Sequence, residues 1–175
     1  RSWRLLSVPT SGSQTINAAW QEGNTPGANT TKPNYGTQIT GPVFANGLDA
    51  VSASASLKRY TGSAWVGVTS TLGAISAEKA YFMYVRGERS KGVTGLATDA
   101  SATTLRTTGA IYTGAQTTST IPANSFGVVG NLYPSAIDFT GLTLNGSVAT
   151  VPYFYIWDAK KQSGSSLGAY QLFTS

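Results

Sequence analysis

The stretch of sequence that decides the fold is AYFMYVR, which runs from Ala80 to Arg86 and is ended by Gly87. Aromatic and β-branched residues favour strands, and a run that stays apolar without alternation is typical of a strand buried on both faces. The pattern therefore predicts a central β-strand. A second stretch, YFYIW from Tyr153 to Trp157, has the strongest β composition in the chain and predicts another strand.

Shorter strand-like segments surround these two stretches and are separated by turn signals. They lie at residues 3–8, 56–60, 64–68, 103–108, 110–112, 125–130 and 169–173, with tight turns predicted at Asn46-Gly47 and Asn145-Gly146. The segments 56–60 and 64–68 are joined by Thr61-Gly62-Ser63, a connection with glycine that indicates a β-hairpin. About ten short strands at this spacing predict an all-β fold, a single-domain β-sandwich that covers residues 1–175.

One segment near the N-terminus has helical instead of strand periodicity. Within residues 14–22, Ile16, Ala19 and Trp20 recur at helical spacing, and Gly23 can end the helix. We predict one short helix here. The polar segment from Gly23 to Gly36, with two prolines and three asparagines, is predicted to be a long surface loop.

The composition supports a β-protein whose surface is covered by hydroxyl groups. Serine and threonine account for 44 of the 175 residues, and only 11% of the residues are charged, against about 25% in an average soluble domain. Short hydroxylated and β-branched side chains suit pleated sheets, whereas helix surfaces favour Glu, Lys, Gln and Arg.

The absence of two residue types argues against an enzyme. The chain has no histidine and no cysteine, which removes the usual general base, the commonest zinc ligand and thiolate chemistry. The motif Ser76-Ala77-Glu78-Lys79 matches the Ser-x-x-Lys pattern of some acyl enzymes but lacks the partner motifs. We predict no catalytic residue, and a hydrolase that uses two carboxylates stays as the enzymatic alternative.

The sequence also predicts no cofactor, no metal site, no nucleic-acid partner and no membrane insertion. Calcium could use oxygen ligands in an extracellular β-protein, but no Asp-x-Asp-x-Asp repeat occurs. The net charge of +5 comes from scattered basic groups, not from one basic element with interleaved aromatics, so nucleic-acid binding is not predicted. No apolar run reaches the roughly 20 residues that cross a bilayer, and membrane insertion is not predicted either.

Several motifs resemble those of a known module. In chain order they are WRLLSVP (3–9), INAAWQEG (16–23), YGTQITG (35–41), FMYVRGER (82–89), TLRTTG (104–109), VVGNLYPSAIDF (128–139) and YIWD (155–158). Nearly the whole chain is similar to a module of large surface proteins of Bacteroidota, found near the C-terminal signal for type IX secretion. The resemblance implies export, a location outside the cell or at its surface, and a structural or adhesive role without catalysis.

The functional prediction follows from the composition and this resemblance together. We expect a non-enzymatic extracellular module that acts through contacts with protein partners, including copies of itself assembled into a fibre. The alternative is a carbohydrate-binding module, because exposed aromatic rings stack on sugars and a surface polysaccharide would be available there. Tyr60 and Trp65, which flank the predicted hairpin turn, are the candidate ligand-binding residues of that alternative.

Overall fold

The structure is a computed structural model that describes residues 1–28, 32–49, 52–78, 80–91, 101–117, 121–122, 124–138, 153–163 and 166–174. These residues form one α-helix and eight strands. In chain order the elements are β1 (Ser2–Leu6), β2 (Thr10–Ser11), α1 (Ile16–Trp20), β3 (Leu57–Tyr60), β4 (Trp65–Gly67), β5 (Tyr81–Val85), β6 (Ala110–Ile111), β7 (Tyr153–Ser163) and β8 (Ser166–Thr174). Short 3-10 helices lie at Phe44–Asn46, Ile75–Ala77 and Arg89–Lys91.

The main sheet has four antiparallel strands in the order β1-β5-β3-β4. Strand β5 is therefore internal, which confirms the central strand that AYFMYVR predicts. The predicted hairpin is also confirmed, because β3 pairs with β4 and Thr61 donates its backbone N–H to Ala64 across the turn. Two further antiparallel pairs, β2-β6 and β7-β8, complete the strand pairing of the described residues.

The alternation of β5 gives the sheet two apolar faces. Tyr81 and Met83 point to one face and are buried there with Leu57 of β3. This face meets the main core, whose members are Val8, Ile16, Ala19, Trp20, Ile39, Leu48, Leu57, Val68, Ile75, Tyr81 and Met83. Phe82, one position out of phase, lies on the opposite face, where the C-terminal hairpin covers it.

The predicted helix is confirmed but is shorter than its sequence pattern. Thr15 caps its N-terminus by accepting a hydrogen bond from the backbone N–H of Ala18 at 3.0 Å. Glu22 and Gly23 both have positive φ angles, of 58° and 71°, so the chain leaves helical geometry directly after Gln21. The helix is held to the sheet by the Trp20 ring, whose centroid lies 5.4 Å from that of Tyr81.

The all-β prediction is confirmed, whereas the number of strands is wrong: the described residues form eight and not about ten. Residues 125–130 are irregular, and Gly127 and Gly130 deprive this segment of the side chains that a strand would bury. In the segment 103–108, only Thr104 forms an isolated bridge, with Tyr35. The predicted turn at Asn145-Gly146 lies outside the described residues.

Candidate functional site: the C-terminal aromatic hairpin

Three of the motifs quoted above meet at a buried ion pair. The Arg89 guanidinium binds the Asp49 carboxylate through two hydrogen bonds of 2.7 and 2.8 Å, and both side chains are fully buried. The same carboxylate accepts hydrogen bonds from the Gln21 amide at 2.6 Å and from the backbone N–H groups of Gly27 and Ile39. Every oxygen of Asp49 is thus engaged, which leaves it no role as a base or as a metal ligand.

The guanidinium of Arg89 also fixes the backbone around it. It donates to the carbonyl oxygens of Thr37 at 3.1 Å and Ala28 at 2.9 Å. In return, the Gln38 side chain donates to the carbonyl of Arg89 at 3.0 Å. These bonds tie loops that are distant in sequence to one buried charge, so the motifs that meet here have a structural role in this chain.

Other carboxylates are likewise used in local contacts. Glu22 binds Arg106 at 2.7 Å, and the Arg106 guanidinium lies 4.2 Å from the centre of the Tyr35 ring. The hydrogen bond and the charge of Glu22 raise the pKa of Arg106 above its usual value. Glu78 lies 3.6 Å from Arg59, which is in the internal strand β3.

Two open cavities among the described residues contain no constellation for catalysis. The larger, of about 350 Å³, is lined by Leu6, Ser7, Pro9, Thr10, Trp20, Leu105, Thr107, Ile111 and Pro134. Its polar groups are hydroxyls, without an acidic or basic side chain. The smaller, of about 200 Å³, contains the Arg59–Glu78 pair and Tyr81. Burial, together with the charge of Glu78, raises the pKa of Tyr81 to about 12, which keeps its hydroxyl protonated as a donor to Ile75.

Tyr60 and Trp65, the residues of the carbohydrate alternative, are brought together by the hairpin. They are cross-strand partners in β3 and β4, and their ring centroids lie 5.3 Å apart at a steep angle. The Trp65 ring also contacts Phe82 at 5.2 Å and donates its indole N–H to the hydroxyl of Tyr170. Both residues are half-buried. Trp65 belongs to an interface between two parts of the fold, and the role of both residues in sugar binding stays a prediction.

That interface is an aromatic seam, formed by Trp3, Trp65, Phe82, Trp157 and Tyr170, where the β7-β8 hairpin meets the main sheet. Phe82 stacks on Trp3 at 4.7 Å and meets the edge of Trp157 at 4.8 Å. The Trp157 indole N–H donates to the backbone carbonyl of Trp3 at 3.0 Å. Gly168 makes room for this ring, because a Cβ at that position would collide with the indole of Trp157.

The face of the β7-β8 hairpin that carries Trp157 and Tyr170 is exposed to solvent beyond the aromatic seam. Tyr155 is the centre of a group of exposed side chains, with ring centroids 5.9 Å from Tyr153, 5.9 Å from Phe126 and 6.3 Å from Tyr170. Leu172 is its cross-strand partner. We call these five residues the Tyr155 patch. Their exposed fractions lie between 43% for Tyr153 and 60% for Phe126.

The other face of the hairpin is apolar as well. Phe154 and Phe173 stack across the two strands with centroids 5.4 Å apart and almost parallel planes. Their neighbour Ile156 is exposed. Sequence reasoning predicted these two strands but missed the patch. The available signal was that YFYIW is apolar at both odd and even positions, which requires cover on both faces of its sheet.

Comparisons of the chain with protein-family models, with curated proteins and with solved structures gave no match. Within the described ranges, no three acidic, histidine or cysteine side chains cluster closely enough to hold a metal ion. The helices of that same part of the chain are all too short or too polar to cross a membrane.

Proposed function

We propose that this chain is a non-enzymatic, extracellular structural or adhesive module of a bacterial surface protein, and that it acts through protein–protein contacts. The observation that carries the proposal is the Tyr155 patch. Its five large side chains are grouped around Tyr155, whose ring centroid lies 5.9–6.3 Å from those of the other three aromatic residues, and all five are between 43% and 60% exposed. Tyrosine and other aromatic residues at an uncharged surface are the composition found in the centres of protein interfaces.

The size of the patch supports this assignment. Side chains of this kind have about 200 Å² each to bury, so their exposed fractions correspond to about 500 Å² of open apolar surface. The largest apolar patch on a typical monomer measures about 300–600 Å² and is often functional. The area of the Tyr155 patch therefore fits a contact surface, and its composition favours one.

The state of the carboxylates supports a role without catalysis. Asp49 is saturated by hydrogen bonds, while Glu22 and Glu78 are engaged by Arg106 and Arg59. Together with the absence of histidine and cysteine, this leaves few groups for acid–base or nucleophilic chemistry. The hydroxyl-rich, weakly charged surface and the resemblance to surface modules of Bacteroidota support a position outside the cell.

The experiment uses beads coated with the chain and applied to intact Bacteroidota cells. One sample of cells is treated with a protease, one with periodate to oxidise glycans, and one is left untreated. We expect binding that the protease removes and periodate does not. Tyr155→Lys should abolish the binding, because a charge at the centre of the patch must be desolvated on contact.

The matched control is Phe44→Lys, which changes an exposed aromatic residue outside the hairpin; Phe44 is 58% exposed, against 45% for Tyr155. This variant should bind like the wild type. Loss of binding after periodate, together with loss in Tyr60→Ala or Trp65→Ala, would assign a carbohydrate ligand instead. Beads that bind no cells, or that bind equally well with Tyr155→Lys, would contradict a contact role for the patch.

A further inference from the structure

We infer that the Tyr155 patch docks a second copy of this chain, through the same patch on both copies. The inference rests on the proposed function, since it requires the patch to be a contact surface, and it names the occupant. A two-fold contact of this type is self-complementary, with each copy offering the same side chains to the other.

The area of the patch fits this occupant. One copy leaves about 500 Å² of apolar side chain open, so two copies would bury about 1,000 Å² together, the size at which specific interfaces begin. An interface at this lower limit gives a weak, concentration-dependent dimer and not a permanent one. Polar residues at the rim of the patch, such as Thr174 beside Tyr153, would add to the buried area.

The absence of charged residues from the Tyr155 patch permits a second copy there. The chain carries a net charge of +5, so two copies repel one another overall, and a contact between them costs least where neither side is charged. The Tyr155 patch contains no lysine, arginine, aspartate or glutamate, and two copies can meet there without desolvating a charge. An acidic or basic partner would find no complementary group on the patch itself.

The chemistry of the patch is complementary to itself. Tyr153, Tyr155 and Tyr170 each present a ring that can meet another ring edge to face. Tyr153 and Tyr155 also carry hydroxyls that can both donate and accept a hydrogen bond, so identical groups can pair across a two-fold axis, whereas the Tyr170 hydroxyl already accepts the indole N–H of Trp65. The segment from Tyr153 to Trp157 is uncharged and free of proline and glycine, which is the composition of strands that associate with their own copies.

Sedimentation velocity from micromolar to millimolar concentration tests the inference with the whole chain. We expect the wild type to shift from monomer to dimer as its concentration rises. Tyr155→Lys should raise the dissociation constant at least about tenfold, as expected for the central residue of an interface. Phe44→Lys should leave the dissociation constant unchanged. Near-ultraviolet circular dichroism of both variants checks that the aromatic seam is intact.

A cross-linking experiment tests the geometry without altering the patch. Because the chain has no cysteine, Thr174→Cys places a single thiol beside Tyr153, and a short bismaleimide should convert this variant into a covalent dimer. Ser63→Cys, at the exposed turn between β3 and β4, is the control and should stay monomeric.

The outcomes separate this inference from the proposed function. A wild type that stays monomeric at millimolar concentration overturns the second copy as occupant, whatever the cell binding shows. If the same monomer still binds protease-sensitive sites on cells through Tyr155, the proposed contact role stands and its partner is a different protein. Dimers that persist in Tyr155→Lys, or cross-link equally at Ser63→Cys, would place the interface elsewhere and overturn the inference.

Discussion

The Arg89–Asp49 pair and the Tyr155 patch reverse the usual placement of charged and aromatic residues. The pair is a full positive and a full negative charge with no solvent exposure, while the patch exposes large apolar side chains. The difference shows that satisfied contacts, and not residue type alone, decide what is buried. Asp49 accepts hydrogen bonds from several parts of the chain and can therefore be buried. The main sheet covers Trp157 of the β7-β8 hairpin but does not reach the Tyr155 patch, which stays exposed.

The largest effect is expected when the buried charge loses its partner. Arg89→Met leaves Asp49 buried and unpaired, which should lower the free energy of unfolding by about 3–5 kcal/mol. Urea unfolding followed by tryptophan fluorescence measures the loss. Adding Asp49→Leu to the same variant removes the orphaned charge and should restore part of the stability. If Arg89→Met unfolds at the wild-type urea concentration, the pair does not organise the loops around it.

A large loss of stability is also expected when a buried apolar side chain is truncated on the face of the main sheet that meets the core. Met83→Ala creates a cavity beside Leu57 in the centre of the sheet and should cost about 3 kcal/mol of stability. Leu72→Ala is the control, because Leu72 is exposed and loses little cover on truncation. Equal losses in the two variants, measured by thermal unfolding, would mean that the core is not centred on this face.

Tyr81 should make the free energy of unfolding decrease at alkaline pH. Its folded pKa is raised to about 12 from an ordinary value near 10. The stability that this proton provides is complete below pH 10 and falls as the pH rises towards 12, because the unfolded chain releases the proton first. We expect a loss of up to about 2 kcal/mol over this window. In Tyr81→Phe, urea unfolding should show a flatter pH dependence; an unchanged slope would falsify the assignment.

The smallest effect is expected in the Tyr155 patch. Leu172→Thr replaces an apolar residue of the patch that is mostly uncovered, and it should change the free energy of unfolding by less than about 0.5 kcal/mol. Threonine retains strand propensity at this position. Thermal unfolding of a dilute, monomeric sample provides the measurement. A loss comparable with that of Met83→Ala would show that the patch is part of the folding core and not a contact surface.

The central features of the fold were predictable because they depend on local pattern. AYFMYVR predicted the internal strand through its continuous apolar character, and glycine in Thr61-Gly62-Ser63 predicted the hairpin. The strand predicted at residues 125–130 was wrong. Valine and phenylalanine favour strands, but within the described residues no neighbouring strand pairs with this segment. Propensity describes what a segment can form, whereas strand pairing depends on partners that are distant in sequence.

The apolar character of both faces of YFYIW was visible in the sequence, but which of its residues are exposed was not predictable, for the same reason. YFYIW reads as the most strand-like segment of the chain, and such a segment is normally a core strand. Only the arrangement of the sheets shows that Trp157 is covered while Tyr155, two residues earlier on the same face, is exposed. The buried role of Asp49 was equally hidden, because its partner Arg89 is 40 residues away.

The hydrogen bond between Trp157 and Trp3 has a consequence for how the chain folds. The two residues are 154 positions apart, so a chain that emerges N-terminus first makes β1 long before the hairpin that covers it exists. Contacts of such long range raise the contact order and slow folding. Until β7 and β8 are present, Trp3 and Phe82 lack the contacts that Trp157 makes with them in the folded chain.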